Sequence, residues 1–324
     1  MLYTYTLAPS TGMNTTRINF ADMENKGIEF SISGDILKGK DWNWSMNFNI
    51  GKNKNKISKL DNEFVSYPGY TTLTNTVIQE GKSLGLIYGL ETDGIFKSWE
   101  EVAYYESLNS EHQYQEQYAY NKTTPGDLKL VDQNGDGWVN TASQAQDDRV
   151  VLGCSRPKFE GGLSTRLSWK GFTLSAQGTF SYGAQKIWQA AEKQFMFSSS
   201  SPANLLDMAL KRWTPENPDA KYPCIRLDKY VNNAFSDFTV FDASYFKISN
   251  INLSYSIPQK VLKKLRFFSK LDVFVSANNV HTFSSYPGPS PESWSSNVIA
   301  GASADSNVYP QTRTFNFGVN VTIK

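Results

Sequence analysis

The sequence has little of what most enzymes and disulfide-rich domains need. Its 324 residues include two cysteines, Cys154 and Cys224, and two histidines, His112 and His281. These counts exclude a zinc-ribbon framework, a disulfide scaffold and most histidine-dependent catalytic sites. The formal net charge is +1, so no overall field favours nucleic acid or an acidic partner. The sequence therefore predicts no enzyme, no catalytic residue and no nucleic-acid partner.

Long apolar runs are also missing. No stretch of eighteen apolar residues occurs, which excludes a transmembrane helix. The first residues, Met1 to Leu7, lack the basic flank, apolar block and small-residue cleavage site of a signal peptide. What the chain does have is an aromatic content of 14% beside a negative mean hydropathy of −0.45. Strands with alternating residues account for the aromatic content and the negative mean hydropathy together, because polar residues on one face lower the average set by apolar residues on the other.

Strict period-two alternation occurs in Trp42–Ile50, Phe172–Tyr182 and Phe315–Ile323. Large apolar residues occupy one face of each segment, and Asn, Ser, Thr or Gln occupies most of the other. Strands of soluble proteins usually place charged residues on the face that meets water, unlike these segments. Their length also fits a membrane, since a tilted strand of nine to eleven residues crosses a bilayer. The pattern predicts an all-β, antiparallel transmembrane β-barrel segment. The alternative is a soluble carbohydrate-binding β-sandwich module.

The connections are of two kinds. Eight strands are predicted near residues 1–7, 25–37, 41–51, 157–169, 171–182, 243–257, 270–280 and 312–323, and a phase slip at Ser249-Asn250 predicts a bulge. Short links alternate with long stretches at about 52–156, 183–242 and 281–311. Outer-membrane barrels alternate short periplasmic turns with long outer loops, so we expect these three stretches to be outer loops.

A series of short motifs follows in a fixed order from residue 25 to the end of the chain. They are Asn25-Lys26-Gly27-Ile28-Glu29, Asp41-Trp42-Asn43-Trp44, Asn47 to Ile57, Gly85-Leu86-Ile87-Tyr88-Gly89, Asp93-Gly94-Ile95-Phe96, Pro125-Gly126-Asp127-Leu128-Lys129, Asp132 to Gly137, Gly153 to Pro157, Arg212-Trp213 with Asn217-Pro218, Ala243 to Ile248, Asn278-Asn279-Val280 and Pro291-Glu292. In this order they resemble the barrel region of the SusC/RagA-type TonB-dependent transporters.

This resemblance implies a 22-stranded barrel in the outer membrane of a Gram-negative cell, with a plug domain inside the lumen. Family members begin with a signal peptide, a TonB-contacting segment and the plug, and residues 1–324 match none of these. We therefore expect the chain to be the C-terminal portion of the barrel, about eight strands, linked to the TonB–ExbB–ExbD complex only through the missing N-terminal parts.

The same resemblance implies the partners of the assembled transporter. They are a SusD-like lipoprotein over the outer loops, outer-membrane lipid around the wall, and an oligosaccharide or peptide as the imported ligand. No cofactor is implied, and the substrate-binding residues are not identified by the motifs.

One local motif predicts a metal. The segment from Asp132 to Asn140 reproduces the first half of a calcium loop, with oxygen ligands from Asp132, Asn134 and Asp136, the Trp138 carbonyl, and Asn140 directly or through water. Position 12 is serine instead of glutamate, so closure would fall to Asp147 or Asp148. The alternative is a glycine-rich polar turn capped by Asx side chains.

Two further features leave alternatives open. Lys52, Lys54, Lys56 and Lys59 form a basic run with interleaved Asn, which fits either nucleic acid or a solvated surface facing anionic lipopolysaccharide. The surface facing lipopolysaccharide is the more consistent of the two, because the run follows a strand that we expect to lead toward the outside of the cell. Cys154 and Cys224 either pair across outer loops or remain free thiols, and their separation decides between the two.

Overall fold

Strands dominate the chain, as the alternation predicts. The computed structural model describes residues 2–6, 10, 12, 15–19, 21–60, 64–68, 75–108, 123–136, 139, 148–188, 196–197, 204–227, 235–265, 267–292, 304–305 and 309–323. The strands are β1 (Leu2–Thr6), β2 (Thr15–Asn19), β3 (Ala21–Lys38), β4 (Trp42–Leu60), β5 (Phe64–Pro68), β6 (Asn75–Gln79), β7 (Leu86–Leu90), β8 (Thr92–Ile95), β9 (Leu128–Leu130), β10 (Arg149–Cys154), β11 (Phe159–Trp169), β12 (Phe172–Tyr182), β13 (Gln185–Trp188), β14 (Met196–Phe197), β15 (Arg226–Leu227), β16 (Val240–Asp242), β17 (Tyr245–Ser256), β18 (Phe268–Ser284), β19 (Ala304–Asp305) and β20 (Thr314–Ile323).

Helices are few and short in the described ranges. There they are α1 (Trp99–Leu108), α2 (Gln259–Leu265) and two 3-10 helices, Asp207–Lys211 and Asp237–Thr239. Among the described residues, no helix combines the length and the apolar character needed to cross a membrane.

Seven long strands form one antiparallel sheet in the order β3-β4-β11-β12-β17-β18-β20. This order follows the chain, as in a meander, with the intervening short strands left in the connections. Seven of the eight predicted strands therefore lie in one sheet. The first predicted strand, near residues 1–7, forms as β1 but pairs with β2 in a separate ribbon. The predicted slip at Ser249-Asn250 is confirmed, because the register of β17 shifts between Ile248 and Asn250 against both of its neighbours.

Strand β4 is longer than its apolar pattern suggests. It continues from Gly51 to Leu60, where its side chains are mostly Lys and Asn, because its backbone pairs with the first half of β3. Strand β11 accompanies β4 only as far as Gly51. Strands β3 and β4 therefore project beyond the sheet as a two-stranded ribbon.

The two ends of the sheet carry different connections. At one end, three residues join β3 to β4, two join β11 to β12, and a segment containing α2 joins β17 to β18. At the other end lie the long connections 61–158, 183–244 and 285–313. These overlap the predicted loops 52–156, 183–242 and 281–311, and they start later where β4 and β18 continue.

The long connections contain small sheets that alternation did not reveal. One has the order β10-β7-β6-β5, another has the order β16-β13-β19, and two pairs are β8-β9 and β14-β15. These strands have two to six residues, too few for a periodic pattern to appear. The connections also hold the buried apolar clusters, including one formed by Leu90, Phe96, Val102, Leu130 and Val139.

Candidate functional site

The seven-stranded sheet has one apolar and one polar face. Directly opposite residues of antiparallel neighbours share a face, so the register groups side chains into rows across the sheet. One row runs through Trp42, Trp169, Phe172, Tyr255, Val273 and Val319. The next row on this face runs through Trp44, Leu167, Leu174, Leu253, Val275 and Phe317. We call this surface the apolar face.

The intervening rows form the opposite surface, the polar face. One of them contains Asn47, Ser164, Gln177, Asn250, Asn278 and Thr314. The adjacent row contains Ser45, Arg166, Ser175, Asn252, Ser276 and Asn316. Amide and hydroxyl groups of this kind both donate and accept hydrogen bonds, so the surface suits water and polyhydroxylated or peptide ligands.

Within the described residues, the apolar face is uncovered and the polar face is covered only at its long-connection end. On the apolar face Ile28 is 77% exposed and Phe317 is 78% exposed, and the strands in the middle of the sheet are only partly buried. A β-sandwich would bury one face of this sheet against a second sheet. No second sheet covers either face in the part of the chain that the structure describes, so the sandwich alternative is not what the strands form.

A polar recess of about 460 Å³ lies on the polar face across β3, β4, β11 and β12. The charged residues of its lining are Asp35 and Arg166. Amide and hydroxyl groups come from Asn47, Ser164 and Gln177. The recess therefore presents one acidic and one basic side chain together with hydrogen-bond donors and acceptors.

Two lysines attach the segment after β18 to the sheet and its neighbours. Lys247, 8% exposed on β17, donates to Glu292 at 2.5 Å and to Gln311 at 2.7 Å. Lys186, 2% exposed on β13, donates to the Pro291 carbonyl at 2.7 Å and lies 5.4 Å from the centroid of the Tyr286 ring. The segment after β18 thus partly covers the polar face at its long-connection end.

A second polar cluster fixes α1 in the first long connection. The Glu101 carboxylate accepts from Lys129 Nζ at 2.7 Å and from the Lys97 amide at 2.6 Å. Partial burial opposes ionisation, yet the Lys129 and Lys97 contacts outweigh it and lower the pKa of Glu101. Burial raises the pKa of Tyr105 and that of Asp237, whose carboxylate accepts from both the amide and the hydroxyl of Thr92.

The predicted calcium loop is described only in part. Asp132 Oδ1 accepts from the Gly135 amide at 2.7 Å, and Asn134 Oδ1 accepts from the Asp136 amide at 2.8 Å. The fully buried Asp148 accepts from the Gln133 amide at 2.9 Å. Trp138 and Asn140 lie outside the described residues. Within the described part, no group of three or more His, Cys, Asp or Glu residues is arranged to hold a metal ion. The Ca²⁺ site stays a prediction.

The two cysteines are free thiols. Cys224 is buried, and its sulfur lies 3.5 Å from the Asp127 carboxylate, whereas Cys154 lies beside Ser83 and the Leu84 carbonyl. The pairing alternative is therefore not realised.

Residue patterns missed the charged groups of the polar face. Arg166 and Lys247 sit on strands whose polar positions are otherwise mainly Ser, Asn, Thr and Gln. The sequence signal for these two residues was a single charge among uncharged polar positions of a strand. Lys186 gave no signal, because β13 has only four residues.

An open antiparallel sheet with an apolar face, a polar face, short turns at one end and long connections at the other defines a segment of a transmembrane β-barrel wall. Comparison with known proteins agrees with this class. The chain is 28% identical over 335 aligned residues to TonB-dependent receptor P3 of Formosa agariphila, covering 99% of this chain and 31% of that protein. It is 26% identical to TonB-dependent receptor SusC of Bacteroides thetaiotaomicron, covering 94% of this chain and 27% of SusC.

Solved structures give the same fold. The structure of the RagAB peptide transporter matches with a TM-score of 0.72 at 22% identity, covering 99% of this chain and 32% of that one. The RagAB peptide importer in the open-open state matches with a TM-score of 0.70 at 21% identity. No family model matches the chain.

The predicted resemblance to the SusC/RagA-type TonB-dependent transporters is confirmed, and so is the barrel-segment fold. The chain spans about a third of the length of the curated relatives it matches. The names of these relatives describe receptors and importers, not catalysts.

Proposed function

We propose that this chain forms part of the wall of an outer-membrane, TonB-dependent transporter that takes up oligosaccharides or peptides. Its apolar face contacts membrane lipid, and its polar face lines the lumen. The observation that carries the proposal is that apolar rows continue across six strands on one face of the sheet and polar rows on the other. A wall between lipid and water needs two such faces.

The proposed partners follow from the resemblance to the SusC/RagA-type transporters. A SusD-like lipoprotein covers the long-connection end, and the TonB–ExbB–ExbD complex supplies energy through other parts of the transporter. The RagAB structures carry the name of a peptide transporter, which supports peptides as one ligand class. The amides and hydroxyls of the polar face suit sugars equally well.

Two adjacent residues of β20 test the lipid contact. Phe317 lies on the apolar face and Asn316 on the polar face, and both are exposed. Each is replaced by cysteine in a background with Cys154→Ser and Cys224→Ser, labelled with an environment-sensitive fluorophore, and reconstituted with lipids that carry a quencher in their acyl chains. We expect strong quenching at position 317 and little at position 316.

Equal quenching at the two positions would contradict the assignment of the faces. Recovery of the unmodified chain in the aqueous fraction without detergent would favour a soluble module instead.

The ligand class is tested separately, by growth of a strain lacking the gene on a defined oligosaccharide or on a peptide as sole carbon source. Selective loss of growth on one of them identifies the imported class.

A further inference from the structure

The apolar face becomes basic where the β3–β4 ribbon leaves the sheet. Pairs of opposite residues on this face change from apolar to charged along the ribbon. In order they are Ile32 with Phe48, Phe30 with Ile50, Ile28 with Lys52, Lys26 with Lys54, Glu24 with Lys56 and Asp22 with Lys59. The register thus adds Lys26 to the sequence run and places all five lysines on one side of the ribbon. We call Lys26, Lys52, Lys54, Lys56 and Lys59 the lysine patch.

The lysine patch carries an excess of exposed positive charge. All five side chains are exposed, and Lys26 is 77% exposed while it pairs with Glu24. Among the described residues, Lys52, Lys54 and Lys56 have no carboxylate oxygen within 4.0 Å of their ammonium groups. Within β3 and β4, Glu24 and Asp22 are the carboxylates on this side, and two carboxylates do not neutralise five lysines.

The position of the patch relative to the apolar rows sets its depth. A strand rises about 3.3 Å per residue, so Lys52 lies roughly 7 Å and Lys54 roughly 13 Å beyond Ile50 along the strand. The tilt of barrel strands shortens these distances along the membrane normal. The ammonium groups therefore lie at the level of lipid headgroups, where a lysine stem can cover apolar surface and its charge can reach phosphate.

The side and the end of the ribbon on which the lysine patch lies determine which groups it can contact. It lies on the lipid-facing side, so a ligand that moves along the polar face does not meet it. It also lies at the end with long connections, which in such barrels faces the outside of the cell. The groups available there at headgroup depth are the phosphates of the outer leaflet lipids.

We propose that the lysine patch binds the phosphate groups of a phosphorylated glycolipid of the outer leaflet, the chemistry of lipid A. This inference rests on the proposed function, because it requires the apolar face to contact lipid. The patch ties the projecting ribbon to the membrane surface and holds lipid against the apolar side of β3 and β4.

The test uses the full chain in detergent, titrated with bisphosphorylated lipid A, with bound lipid counted by native mass spectrometry. The variant carries Lys26→Gln, Lys54→Gln and Lys56→Gln. The matched control carries Lys260→Gln, Lys263→Gln and Lys264→Gln on α2, at the opposite end of the sheet, where all three lysines are exposed. We expect the patch variant to bind lipid A at least tenfold more weakly, since each basic residue near an anionic surface contributes about fivefold, and the control to stay within about twofold.

Unchanged affinity in the patch variant overturns the proposal, as does an equal loss in the control. Displacement of lipid A by an equal concentration of inorganic phosphate would show a free-phosphate site and overturn the lipid assignment. Quenching at the Phe317→Cys position is measured on the same variants. Retained quenching with unchanged lipid affinity defeats only the lysine patch, whereas absent quenching defeats the proposed function.

Discussion

Gly161 lies where the backbone of the neighbouring strand leaves no room for a methyl group. A Cβ at this position would meet the Asn49 carbonyl oxygen at 2.2 Å and the Phe180 ring at 2.7 Å. Gly34, on the same face, has no atom within 4 Å of such a Cβ. Both are glycines inside strands, and the alternation alone does not distinguish them.

We expect Gly161→Ala to lower the free energy of unfolding by about 1–3 kcal/mol, because backbone of β4 or the Phe180 ring must move. Gly34→Ala should change it by less than about 1 kcal/mol, since the methyl group enters open space. Unfolding by guanidinium in detergent micelles measures both. An equal effect of the two substitutions would show that the close approach at Gly161 does not persist in solution.

Single residues also mark what the sequence could not predict. Phe274 interrupts the polar positions of its strand, and the structure explains it by its partner Gly318, where a Cβ would lie 2.3 Å from the ring. The pairing of distant strands supplies this explanation. In the turn for which the sequence predicts a calcium loop, Asp132 Oδ1 and Asn134 Oδ1 accept backbone amides, and the metal site remains a prediction.

At the scale of elements, the long strands were predictable because alternation over nine or more residues is a strong signal. Strands β11 and β12 begin and end within two residues of the predicted bounds. The second half of β4 was missed, because its Lys and Asn side chains hide a strand that pairs through its backbone. The short strands of the long connections gave no periodic signal at all.

Helix α1 was also missed, and contacts with other elements hold it. Val102 packs against Phe96 and Leu130, and Glu101 binds Lys129 of β9. The pKa of Glu101 is lower in the folded chain than its ordinary value of 4.5. Its contribution to stability is therefore fully present above pH 4.5 and is lost as the pH falls through the lowered pKa.

We expect hydrogen exchange in α1 to accelerate between pH 6 and pH 3, after correction for the intrinsic pH dependence of exchange. Glu101→Gln should already raise exchange in α1 at pH 6 and weaken the acid dependence, because the charged contact with Lys129 is gone. Glu216→Gln, in an exposed turn, should behave like the unmodified chain. An identical acid response in the Glu101→Gln protein would assign the effect to other groups.

At the scale of the whole molecule, the sequence predicted two faces, but the register decides that they are continuous. Alternation in one strand fixes which residues share a face of that strand. It does not fix how strands align, and a one-residue slip would mix the rows. Direct pairing of Trp42 with Trp169, and of Trp169 with Phe172, shows that no such slip occurs between β4 and β11 or across the turn from β11 to β12.

Continuity of the faces leads to a prediction about charge at the middle of β20. Val319 lies on the apolar face opposite Val273, and the next residue, Asn320, lies on the polar face. Arginine at the bilayer midplane costs a barrel about 2–4 kcal/mol. In water, a substitution at an exposed position such as Val319, which is 58% exposed, typically changes stability by less than about 0.5 kcal/mol.

We therefore expect Val319→Arg to reduce the free energy of unfolding in lipid vesicles by about 2–4 kcal/mol, whereas Asn320→Arg should cost less than about 1 kcal/mol because its side chain reaches water. The folded fraction is read from heat-modifiable gel mobility across a urea series. The two variants add the same charge to neighbouring positions of one strand, so only the direction of the side chain differs. Equal stability of the two would mean that both faces of the sheet meet the same solvent, which a wall between lipid and a wet lumen does not allow.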